Sequence, residues 1–158
     1  RAAAHGHLPL LKQLQQHDVT SCCSVEAITQ ASSNGHLRVV EWLTACLQAG
    51  CTKEAMNRAA EKGHLSVVEW LHSNRQEGCD QSAFQLAARN GHIAVVKWLT
   101  KNKPESSSWG IKAVESAASA GHLNIIEWLS QNITGSVEHG AIEKALRAGH
   151  LATAEWLT

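Results

Sequence analysis

Apolar and polar positions along this chain follow one phrase that returns six times. It reads GHLRVVEWL from Gly35, GHLSVVEWL from Gly63, GHIAVVKWL from Gly91 and GHLNIIEWL from Gly121. A weakened copy, GHLATAEWL, starts at Gly149, and a worn one, GHLPLLKQL, starts at Gly6. In the second copy Leu65, Val68 and Leu71 recur at helical spacing, Val67 and Trp70 widen the stripe, and Ser66 and Glu69 fall opposite. That period predicts an amphipathic helix, here called helix B.

A second stripe precedes each glycine. Eight residues upstream stand Ala27, Ala55, Ala83, Ala113 and Ala141. Seven upstream stand Ile28, Met56, Phe84, Val114 and Ile142, and four upstream Ala31, Ala59, Ala87, Ala117 and Ala145. Such spacing predicts a short helix A whose small residues let neighbouring backbones approach. Ser24, Thr52 and Asp80 are suitable N-caps, with Glu26 and Glu54 favourably placed in the first turn. The glycine follows helix A directly, where a left-handed residue commonly ends a helix. The histidine after it falls in the turn, where an imidazole bonds open backbone groups.

The glycines at 6, 35, 63, 91, 121 and 149 are separated by steps of 29, 28, 28, 30 and 28. A hairpin of this size cannot bury its own stripe and must stack on its neighbour. The expected organisation is one array, 1–158, with one continuous core. It comprises a partial repeat 1–22, repeats 23–50, 51–78, 79–108 and 109–136, and a partial repeat 137–158. The longest connection, residues 101–110, is expected to be a specialised loop carrying Pro104, Ser106–Ser108 and Trp109.

An alanine pair such as Ala59-Ala60, then Gly-His-Leu, then Val-Val-Glu/Lys-Trp-Leu, resembles the ankyrin repeat across nearly the whole chain. The resemblance implies an all-α solenoid of stacked helix-turn-helix units. The family's usual unit is about 33 residues with a Thr-Pro-Leu-His opening; here the steps are shorter and that tetrapeptide is absent. The deficit falls between helix B and the next helix A, so the β-hairpins are expected to be shortened or absent. The resemblance also implies a non-enzymatic scaffold that binds a protein partner on the concave helix A face. The alternative is an accessory or regulatory segment of a larger enzyme whose catalytic domain lies outside this chain.

Charge and chemistry narrow the classes. Fourteen basic and fourteen acidic residues balance, which argues against a nucleic-acid grip built on counterion release. No apolar run approaches the roughly 20 residues of a membrane span, and the amino terminus is not signal-like. The chain begins at Arg1 and reads as a piece of a longer protein, so targeting signals are expected outside it. Five cysteines do not form a disulfide framework. Cys23, Cys51 and Cys79 share one repeat position, and equivalent sites about 8–10 Å apart are too far to bridge. Reduced thiols suit a cytoplasmic or nuclear setting.

No catalytic or phosphate-binding motif is present, and no cofactor or small-molecule substrate is implied. Six histidines hold the same turn position (7, 36, 64, 92, 122 and 150), too far apart to share one zinc. Cys22-Cys23 with His17 or Cys46 is the residual metal candidate. Glu41, Glu69, Glu127 and Glu155 read as a solvated helix face. Trp42, Trp70, Trp98, Trp128 and Trp156 are periodic and read as packing between repeats, whereas Trp109 occupies the Cys23/Cys51/Cys79 slot. Trp109 either fills that slot or anchors a partner from the long loop.

One set changes from copy to copy. On the helix A side opposite the alanines lie Glu54, Asn57, Arg58 and Glu61, then Ser82, Gln85, Leu86 and Arg89, then Lys112 and Glu115. With Trp109 these are the expected partner-binding residues. Leu86 is expected to stand exposed beside Arg89, one helical turn away.

Overall fold

A computed structural model describes residues 1–17, 24–46, 52–102, 106–133 and 139–158, with the backbone alone described at 15, 17, 106–108 and 139. After a 3₁₀ turn at Ala3–His5 come α1 (Leu8–His17), α2 (Val25–Ser33), α3 (Leu37–Cys46), α4 (Lys53–Glu61) and α5 (Leu65–Asn74). Then follow α6 (Gln81–Arg89), α7 (Ile93–Asn102), α8 (Ser106–Ser119), α9 (Leu123–Asn132), α10 (His139–Arg147) and α11 (Leu151–Leu157). Among the described residues there is no strand, as an all-helical solenoid requires. The chain divides into two compact units, Arg1–Asp80 and Gln81–Thr158.

The hairpin turn is set by glycine. Gly35 adopts φ +74°, a conformation that costs a side-chain-bearing residue about 1–2 kcal/mol. In that geometry the Gly35 N–H donates to Ser32 and the His36 N–H to Ala31, 3.2 and 2.9 Å. This pair of bonds satisfies the last open carbonyls of helix A. The same bonds recur at Gly63, Gly91, Gly121 and Gly149. The histidine already belongs to the next helix: in the second copy its carbonyl accepts from Val67 and Val68.

The histidine side chain also joins repeats. His36 Nε2 lies 3.1 Å from the Ala4 carbonyl, His64 Nε2 3.1 Å from Ser33, and His122 Nε2 3.0 Å from Arg89. A carbonyl only accepts, so in each pair Nε2 carries the proton. Each acceptor belongs to the preceding repeat, two residues before its glycine. The ring lies over that glycine. A Cβ on Gly35 would stand 2.6 Å from His64 Nδ1, and one on Gly121 2.6 Å from His150 Nδ1. The glycine therefore serves twice, as left-handed residue and as seat for an imidazole.

In the first unit the core is Ile28, Ala31, Val39, Val40, Leu43, Met56, Ala59, Val67, Val68 and Leu71. In the second, Phe84, Ala87, Val95, Val96, Leu99, Ile125, Ile126 and Leu129 take the same places. The tryptophans differ from expectation. Trp42, Trp70, Trp98 and Trp128 are only half-buried and Trp156 is exposed, so the Val-Val pair and the leucine carry the packing. Lys97 Nζ stands 5.8 Å from the centre of the Trp128 ring, a cation–π distance that holds the indole near the surface.

One core position is imperfect. Ser32 is 0% exposed at the place held by Ala60, Ala88 and Ala118, and its hydroxyl has no hydrogen-bond partner among the described residues. A buried hydroxyl without a partner costs about 1–3 kcal/mol. Ser32→Ala should therefore raise stability by about 1 kcal/mol, read as a higher urea midpoint. A lower midpoint would show that the hydroxyl is bonded after all.

The links between hairpins use side chains. Ser24 Oγ accepts from the Ala27 N–H at 3.1 Å as an N-cap, whereas Thr52 holds the N-cap position of α4 without a side-chain bond. Asn74, Asn102 and Asn132 fold back to donate to the carbonyls of Trp70, Trp98 and Trp128, at 2.9, 2.9 and 2.7 Å, and so satisfy orphan groups at the end of helix B. In the link at residues 75–80, Arg75 Nη2 meets Glu77 Oε1 at 2.9 Å. Burial pushes the Glu77 carboxyl up, but its own backbone N–H and the Arg75 guanidinium outweigh that and hold it below the usual range. Asn57 closes the link on α4. Its Nδ2 donates to Asp80 Oδ1 at 3.0 Å, and its Oδ1 accepts the Asp80 N–H at 3.3 Å.

In the expected loop at 101–110 the described residues are helical. Lys101 and Asn102 end α7, and α8 already runs from Ser106 through Trp109 to Ser119, 14 residues. Residues 103–105, with Pro104, lie outside the described residues; of the rest, Ser106 to Gly110 belong to a helix A and do not project as a loop. Gly110 lies inside it, buried, where a Cβ would stand 2.7 Å from Ile133 Cγ2. Cys46 and Cys79 are thiols, and Cys23 and Cys51 lie outside the described residues.

Candidate partner-binding surface

Helix A places its variable residues through two adjoining turns, and the structure divides them into clasp and surface. In the first unit α2 and α4 flank a polar groove of about 250 Å³ lined by Glu26, Thr29, Gln30, Ser33, Glu54 and Arg58. Gln30 Nε2 donates to Glu26 Oε1 at 2.7 Å. Arg58, half exposed, is held between two carboxylates: Nε to Glu54 at 2.7 Å and Nη1 to Glu61 at 2.9 Å. These bonds, to Glu61 and then Glu54, raise the guanidinium pKa above its ordinary value. The charge is permanent in any case; what the carboxylates fix is its direction.

Asn57 does not belong to this surface. It is 4% exposed and its amide is spent on Asp80. Thr29, the equivalent residue of α2, is 8% exposed and donates to the Val25 carbonyl. The residue six before the glycine is thus turned inward in this unit. The buried stripe of helix A is wider than the positions eight, seven and four before the glycine imply, because stacked helices also cover its flank.

In the second unit Ser82, Arg89 and Lys112 are exposed. Gln85 and Leu86 are half-buried, so the leucine expected to stand out beside Arg89 does not. Glu115 accepts from Lys144 Nζ of the next repeat, tying α8 to α10. Trp109 stands half-buried within α8, not on a loop. On helix B the expected solvated face holds at Glu41, Glu69 and Glu155, which are exposed, and Glu127 is half-buried.

Other chemistry is thin. Among the described residues no group of three or more His, Cys, Asp or Glu is placed to hold a metal ion, and Cys22 and Cys23 lie outside them. Among the same residues no helix is long and apolar enough to cross a membrane.

The stacked hairpins, their glycine turns and their alanine faces agree with one family model. Described as "Ankyrin repeats (3 copies)", it matches residues 1–81 and 56–141. The chain belongs to the ankyrin-repeat family. No individual curated protein matches it. Ankyrin repeats generally mediate protein–protein interaction and are typically non-catalytic modules. Two structural parts of this ankyrin fold were not expected from the sequence. The Asn74/Asn102/Asn132 clasp was signalled by a recurring W-L-x-x-N, and the Asn57–Asp80 pair by nothing periodic, since only one repeat carries it.

Proposed function

We propose that the exposed side of the helix A series binds a protein partner, and that this array acts as a scaffold and not as a catalyst. The groove between α2 and α4, with Arg58 fixed between Glu54 and Glu61, is the observation that carries the reading. A cation held in one direction loses little side-chain freedom on binding, which favours arginine as a contact residue. Glu54, Arg58 and Glu61 in the first unit, and Ser82, Arg89 and Lys112 in the second, are the contact candidates. Asn57 is not among them.

The test compares two pairs of substitutions in the intact chain, against a partner captured by affinity purification and identified by mass spectrometry. Arg58→Ala with Arg89→Ala should weaken binding about tenfold or more. The Arg58 ion pairs are half exposed and contribute little to stability, so the melting temperature should move by only about 2 °C. Glu41→Ala with Glu69→Ala, on helix B, should leave binding unchanged. Loss of binding in the helix B pair alone would put the partner on the other side of the array.

A further inference from the structure

We propose that the Asn34-Gly35 and Asn90-Gly91 turns are sites of spontaneous covalent modification, and that the imidazole seated on each glycine by the next repeat gates the reaction. Asparagine stands directly before glycine at these two turns alone; the other turns carry His5, Lys62, Ala120 and Ala148 there. The chemistry requires only water. The Gly35 main-chain nitrogen attacks the side-chain carbonyl carbon of Asn34. A C–N bond forms and the bond to Nδ2 breaks. The glycine N–H proton ends on the leaving nitrogen, which departs as ammonia. Water then opens the cyclic imide at either carbonyl, giving aspartate or isoaspartate. Glycine favours the attack because it has no side chain to crowd its own nitrogen.

The folded turn holds the reacting atoms apart. Ring closure needs the Gly35 nitrogen beside the Asn34 Cβ, in a near-attack geometry. Asn34 has φ −102° and ψ 7°, so that nitrogen nearly eclipses the main-chain nitrogen of Asn34 instead. The nucleophile is occupied, since the Gly35 N–H donates to the Ser32 carbonyl at 3.2 Å. The leaving group is occupied too. Asn34 Nδ2 donates to the Ala4 carbonyl at 3.0 Å and to the Gln30 carbonyl at 3.1 Å. Asn34 is nonetheless exposed, so water reaches it once the turn rotates.

The next repeat opposes that rotation. His64 lies over Gly35 and bonds the Ser33 carbonyl, and His122 lies over Gly91 and bonds the Arg89 carbonyl. Turning the Asn34 Cα–C bond must carry Gly35 out from under its ring. Once made, the product does not fit the closed turn. A carboxylate at 34 would face the Ala4 and Gln30 carbonyls, acceptor against acceptor. Isoaspartate also adds a methylene to the main chain just before Gly35. One opening of the turn thus becomes a permanent change in the join between repeats.

Peptide mapping by mass spectrometry tests this on the intact chain held in mildly alkaline buffer. Each site is read separately by the mass gain of an amide-to-acid change, and isoaspartate by labelling with an isoaspartyl-specific methyltransferase. Both sites should convert at least about tenfold more slowly in the folded chain than in guanidinium chloride, because reaction waits on opening. His64→Ala removes the ring above Gly35. It should speed conversion at Asn34 about fivefold, the worth of one hydrogen bond, and leave Asn90 unchanged. His122→Ala should do the reverse. The comparison of folded and denatured parent chain stands by itself if a variant fails to fold. Equal rates in the folded and denatured chain, or no conversion in denaturant, would overturn the proposal. So would an unchanged Asn34 rate in folded His64→Ala. Acceleration of both sites together by either variant would overturn it as well, because global unfolding and not the local ring would then govern them.

Discussion

Gly35→Ala should destabilise the protein by about 3 kcal/mol, the sum of left-handed strain and a lost hydrogen bond. The backbone there sits at φ +74°, which alanine tolerates poorly. The added methyl would also stand 2.6 Å from His64 Nδ1, so the imidazole must leave the Ser33 carbonyl. A double-mutant cycle separates these causes. In a His64→Ala background the methyl meets no ring, and Gly35→Ala should cost only the strain, about 1–2 kcal/mol. Equal costs in the two backgrounds, measured by urea denaturation, would show that the imidazole does not press on the glycine.

Asn57→Ala should cost about 2–3 kcal/mol, because it removes two bonds from a buried site, one of them to a carboxylate. The exchange variant offers a sharper reading. Asn57→Asp alone sets two carboxylates against each other and should destabilise at least as much as alanine. Adding Asp80→Asn restores an amide–carboxylate pair with its ends reversed, and most of the lost stability should return. An unchanged denaturation midpoint in Asn57→Ala would return this residue to the list of surface contacts.

The architecture was legible because each part of the repeat obeys a local rule. The glycine announces a left-handed helix end, the alanines a close approach, and the Val-Val-x-x-Leu spacing a buried stripe. These rules act within a few residues, so one sequence suffices to read them. The surface was less legible. Whether Asn57 faces solvent depends on Asp80, 23 residues away, and no periodicity encodes that meeting. Trp70 looked like core because it recurs; recurrence marks a constant role, and here that role is a half-buried flank with its carbonyl clasped by Asn74. The extra residues near 101–110 looked like a loop because serine and proline are common in loops. The serines instead open α8, since Ser106 onward continues into an apolar pattern that a helix can bury, while Pro104 lies outside the described residues.

The seating of histidine on glycine also bears on how such a chain can change length. Residues 35–62 carry one imidazole that reaches back to Gly6 and one glycine that receives His64. A gene duplication that copies those 28 residues in tandem would therefore bring its own join at both ends. The inserted block would meet its neighbours through contacts they already make. A duplication with other endpoints would keep this property only if its length stayed a whole repeat, because the pairing at Gly6, Gly35, Gly91 and Gly121 links the glycine to the histidine of the next repeat. Growth by whole units is thus mechanically neutral, while the residues on the outer turns of helix A can diverge afterwards without disturbing the joins.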